Sequence, residues 1–86
     1  MSKFKNELKC YIEERWCCQI TSIQFNEEDS HAEYFTVEMV SFDGQATIDT
    51  YKVTKGDGDM IEEGRVYSQS LRSEDWYYEG SLSSDL

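Results

Sequence analysis

The sequence contains no proline, a single histidine, and only 8 basic side chains against 18 acidic ones. Each shortage excludes something. Without proline, no helix or strand is interrupted by a missing backbone donor. With His31 alone, a zinc site lacks ligands, because Cys10, Cys17 and Cys18 form one C-x6-C-C cluster and not the spaced pairs that zinc takes. No apolar run approaches the roughly 20 residues that span a bilayer. The N-terminal MSKFKNELKCYIEERW carries charge throughout and lacks the apolar stretch of a secretory signal. Three cysteines are an odd number for a disulfide framework, so reduced thiols and a cytoplasmic address are the expectation.

What is present suffices for one small folded domain. Chains of 86 residues build a single modest core, and 12 aromatic rings (4 Phe, 6 Tyr and 2 Trp) supply large buried areas to it. The expected domain covers residues 1–80. The polar end SLSSDL, residues 81–86, is expected to fray.

The charge is uneven. Residues 1–18 hold four basic and three acidic groups, a balance of +1; the rest hold four basic and fifteen acidic, a balance of -11. A chain with net charge -10 is repelled by nucleic acid and by anionic membranes, so neither is expected as a direct partner.

Periodicity divides the chain. Ser2 is a suitable N-cap for a helix running to about Cys17, with Phe4, Leu8, Tyr11, Ile12 and Trp16 on one stripe. From Gln19 the period becomes two. ITSIQF, AEYFTVEMVSF, QATIDTYKV and MIEEGRVYSQSL read as strands, the last kinked at Gly64. NEEDSH and TKGDGD are turns between them. Asp43-Gly44 signals a two-residue type I′ hairpin, which would pair Phe42 with Gln45 and Glu38 with Asp49. In that register Phe35, Val37, Met39, Ala46, Ile48 and Thr50 share a core face, while Tyr34, Glu38, Phe42, Asp49, Tyr51 and Val53 share the other. The expected fold is α+β: an N-terminal amphipathic helix on an antiparallel meander of three to four strands, with an acidic C-terminal segment.

No catalytic motif emerges. There is no nucleophile elbow and no phosphate-binding glycine loop. His31 lies in an acidic turn, and any thiol nucleophile would depend on it alone. GDGDMIEE has the look of a calcium loop until Ile61 and Glu62, which replace the third oxygen ligand and the required glycine. A non-enzymatic protein without metal or cofactor is the expectation.

The acids carry the functional reading. Glu27, Glu28, Asp29, Glu38, Asp49, Asp57, Asp59, Glu62, Glu63, Glu74 and Asp75 are candidates to meet a basic protein surface, with Trp76, Tyr77 and Tyr78 of SEDWYYEG as anchors. Carboxylates on a rigid sheet can occupy the places of phosphates, and neighbouring rings can stack as bases do. The plain alternatives are that the acids confer solubility, and that DWYY is an edge strand guarded by acids. In overall character, though in no motif, this small, proline-free, acidic chain resembles the inhibitors that phages deploy against nucleic-acid machinery, anti-CRISPR proteins above all. That resemblance implies a DNA-mimicking block of a CRISPR effector or another nucleic-acid-binding complex. Acidic immunity proteins against nuclease toxins are similar. A structural protein that homodimerises or docks through its exposed sheet face is the other class; the oligomeric expectation is monomer or homodimer.

Overall fold

A computed structural model describes residues 4–57, 61–70 and 74–82; the helix N-cap position falls at Phe4, not at the expected Ser2, which lies outside the described residues. Helix α1 (Lys5–Trp16) is followed by five strands: β1 (Gln19–Glu28), β2 (Ala32–Val40), β3 (Ala46–Asp57), β4 (Ile61–Ser70) and β5 (Tyr77–Ser81). Each strand pairs antiparallel with its neighbour in chain order, leaving β1 and β5 at the edges. Both edges are irregular: β1 shifts register after Ile20 and after Phe25, and β5 is short with a shift beside Glu79. Such bulges discourage pairing with further chains.

The helix forms where the apolar stripe demands it. Phe4, Leu8 and Ile12 are buried, Glu7 lies in the first turn and Arg15 in the last, as the helix dipole favours. It ends at Cys17, whose φ of 50° and ψ of 40° are left-handed. The stripe covers one side of the sheet, where Ile20, Phe35, Val37, Met39, Tyr51, Val53 and Val66 are buried. Side chains of the size of Phe35, Val37 and Val53 each contribute about 1.5–3 kcal/mol when fully buried. Two polar contacts fix the helix across the sheet. The Phe4 N–H donates to Glu33 Oε1 at 3.3 Å, and the Tyr11 hydroxyl donates to the Glu79 carbonyl at 2.9 Å.

The strand count is corrected. The meander has five strands, not three to four, because DWYY continues into a paired edge strand at Tyr77–Ser81. Within the stretch expected to fray, Ser81 pairs with Arg65, and the Leu82 N–H donates to the Gly64 carbonyl at 2.8 Å. Residues 83–86 lie outside the described residues.

The β2–β3 hairpin is also one residue off. Ser41 N–H donates to the Gln45 carbonyl and Gly44 N–H to the Ser41 carbonyl, each at 2.9 Å, so the loop is Phe42-Asp43-Gly44. Only Gly44, with φ 87°, is left-handed there. This is the three-residue turn with a glycine bulge, which Asp-Gly suits as well as the two-residue form. Val40 therefore faces Ala46, and Glu38 faces Ile48. A slip of one residue exchanges the faces of an entire strand. Tyr51 and Val53 go to the core, while Ile48 is 42% exposed. The kink at Gly64 is present: φ is 87° and the register with β3 shifts there.

Candidate interaction face

The side of the sheet away from α1 carries a single row of paired residues across its whole width. Glu27 of β1 faces Tyr34 of β2; Tyr34 faces Lys52 of β3; Lys52 faces Tyr67 of β4; and Tyr67 faces Tyr78 of β5. Cross-strand neighbours of this kind stand close enough for rings and long chains to touch. Tyr67 and Tyr78 do so, with ring centroids 5.4 Å apart.

Residues 74–76 fold back over this row. Gln69 of β4 donates its side-chain amide to the Glu74 carbonyl at 2.9 Å, and the Trp76 ring lies 6.1 Å from that of Tyr34. Lys52 Nζ is held between two rings, 4.8 Å from the centroid of Trp76 and 5.1 Å from that of Tyr67. A cation so placed is attracted by both aromatic faces. The braid of acids and rings in SEDWYYEG is thereby resolved. Trp76 closes over the sheet, Tyr78 extends the row, and Glu74 and Asp75 remain exposed beside them.

Carboxylates collect at the β1–β2 end of the row. Asp29 accepts the N–H groups of His31 and Ala32 at 2.7 and 2.8 Å on one oxygen and the Tyr34 hydroxyl at 2.9 Å on the other. Those backbone donors, followed by the phenol, hold Asp29 below the usual aspartate range. Burial, reinforced by the bond to Asp29, pushes the Tyr34 phenol up. Glu28 is lowered by its hydrogen bond and charge pairing with Lys55, whose Nζ lies 2.9 Å from Glu28 Oε2 and 2.9 Å from the Asp29 carbonyl. Lys52 and Lys55 are thus both engaged within the chain, and Glu27, Glu74 and Asp75 stand exposed around them.

The sheet does not collect every candidate. Glu38 is exposed on the same side as the row, opposite Ile48, but Asp49 faces Val37 and belongs to the helix side. The pairing of Glu38 with Asp49 is corrected by the longer turn. Tyr77 pairs with Ser68, in the core-side row of β4, and is 57% exposed. Glu63 is exposed and faces Lys55 at the far end of β3 and β4. Asp57 and Glu62 lie in those strands by backbone, and Asp59 is outside the described residues. Sequence reasoning placed Tyr34 on the face away from the core but missed Lys52 and Tyr67. In the expected register Lys52 stood on the opposite face from Tyr34, which hid the row.

Other chemistry is sparse. His31 is exposed in the β1–β2 turn, Cys10 and Cys17 are exposed, and burial raises the half-buried Cys18 thiol. Among the described residues no three His, Cys, Asp or Glu side chains come together as a metal site, and no helix is long and apolar enough to cross a membrane. Comparison with protein-family models, with curated proteins and with solved structures finds no match to this chain.

Proposed function

We propose that this protein is a non-enzymatic inhibitor that lays the uncovered face of its sheet on a basic, nucleic-acid-handling surface of a larger protein. The observation that carries the reading is the row Tyr34–Lys52–Tyr67–Tyr78, roofed by Trp76 and flanked by the exposed Glu27, Glu74 and Asp75. Exposed carboxylates steer an oppositely charged partner into encounter, and aromatic groups at the centre of the contact hold it there. Acids set around clustered, mutually tilted rings offer a basic groove features that a nucleic acid strand also offers, negative charge outside and aromatic surface within. A CRISPR effector is the target class, on the general resemblance of this small acidic chain to anti-CRISPR proteins.

Competition tests the reading. The chain is first used at low salt to capture its partner, and the captured protein is then bound to its nucleic acid. Added chain displaces the nucleic acid, and the combined change Glu27→Gln, Glu74→Gln, Asp75→Asn weakens displacement by at least about tenfold, each lost charge pairing being worth a fraction of 1.4 kcal/mol. The helix changes Glu7→Gln and Glu14→Gln leave it intact. A captured partner without a basic surface, or equal losses from the two sets, overturns the proposal.

A further inference from the structure

A second feature lies on the opposite side of the sheet, past the C-terminal end of α1. There a cavity of about 360 Å³ opens among Trp16, Met39, Gln45, Asp49, Tyr51 and Glu79. Two aromatic rings, Trp16 and Tyr51, stand in its otherwise mainly polar and sulfur-bearing walls, and its two charged side chains are both acidic. Tyr51 is only 4% exposed, yet its hydroxyl, at the lining of this cavity, has no hydrogen-bond partner among the described residues. Asp49 likewise has neither hydrogen-bond nor ion-pair partner there. Glu79 uses one oxygen to accept the Ser68 hydroxyl at 2.5 Å. The Tyr51 side chain is buried but its hydroxyl meets the cavity, so a donor bound there would gain a phenol oxygen and a half-buried carboxylate that have no other partner among the described residues.

We propose that this cavity receives the guanidinium of an arginine side chain from the protein partner. A planar cation with five donors satisfies two separate carboxylates and a phenol oxygen at once, and its face stacks on the indole of Trp16. The Trp16 ring already carries the chain's own Arg15 over one face, its guanidinium carbon 5.4 Å from the centroid, which leaves the other face for the incoming cation. It stands edge-on to Tyr51, with centroids 6.4 Å apart, and is itself 37% exposed. An ammonium, compact and strongly hydrated, gains less from the same walls. Burial, with the charge of Glu79 second, already holds Asp49 above the usual aspartate range, consistent with a carboxylate awaiting a cation. The inference rests on the reading of a basic protein partner only for the source of the arginine.

The test needs no partner. Isotope-labelled chain is titrated with the blocked tripeptide acetyl-Gly-Arg-Gly-amide, and with its lysine and citrulline counterparts, while NMR signals are followed. Saturable shifts at Asp49, Tyr51 and the Trp16 indole are expected with arginine. The citrulline peptide, equal in shape and neutral, leaves them unmoved, and the lysine peptide binds more weakly. Asp49→Asn or Glu79→Gln, each nearly isosteric, weakens arginine binding at least about tenfold. Shifts that do not saturate, that fall on the outer face, or that survive both substitutions overturn the assignment; so does equal binding of the citrulline or lysine peptide. Because outer-face substitutions are absent from this experiment, its failure leaves the competition test standing, and the converse holds.

Discussion

Gly80 is the residue at which the helix is latched to the last strand. Its φ of 138° is one that L side chains rarely adopt, and a Cβ built there would lie 1.9 Å from the Tyr11 hydroxyl. That hydroxyl reaches past Gly80 to donate to the Glu79 carbonyl. Glycine is required twice over, by backbone conformation and by the close approach. Gly80→Ala should cost about 2–3 kcal/mol, from strain of about 1–2 kcal/mol and a displaced hydrogen bond of about 1 kcal/mol. Tyr11→Phe alone should cost about 1 kcal/mol. The double variant, measured by urea unfolding, should lose less than the sum, because removing the oxygen makes room for the methyl group. Strict additivity would show that Tyr11 does not occupy the space above Gly80.

Among the elements, the β2–β3 hairpin decides what each side of the molecule presents. Its three-residue loop sends Val53 fully into the core and leaves Ile48 exposed. Ile48→Thr should therefore change stability by no more than about 0.5 kcal/mol, whereas Val53→Thr buries a hydroxyl and should cost about 1–3 kcal/mol. The reverse order would restore the two-residue turn. Much of the fold was legible in sequence: the helix from Phe4, Leu8 and Ile12, four strands from their alternation, the bulge from Gly64. The register was not. Asp43-Gly44 serves either loop length, and both registers offer a half-apolar β3 face, Ile48 with Ala46 or Tyr51 with Val53. Only burial against α1 distinguishes them. The fifth strand was obscured for a related reason, since WYY can alternate as an edge strand or gather as a loose aromatic cluster. The structure uses both possibilities, with Trp76 over the sheet and Tyr77–Ser81 paired within it.

At the scale of the whole molecule, the helix occupies one side of the sheet, and two of the chain's cations, Lys52 and Lys55, are engaged by the chain itself away from it. Lys52 is held under Trp76, and Lys55 is bound at the β1–β2 turn. Residues 19–86 carry a balance of -11, whereas residues 1–18 carry +1, so the uncovered side should be markedly more electronegative than α1. Surface carboxylates contribute little to stability, but their summed field extends about a Debye length, about 8 Å at physiological salt, and governs which partners approach. The candidate site was half legible from sequence in this sense: the acidic excess and the tail aromatics were visible, but not the row that assembles them, which needed the correct hairpin. The decisive measurement is the near-surface potential, read residue by residue from proton relaxation caused by cationic and anionic nitroxide cosolutes. Protons of Glu27, Thr36, Asp75 and Trp76 should report a potential clearly more negative than those of Lys5, Lys9 and Arg15. Equal potentials on the helix and on the uncovered sheet face would contradict the account.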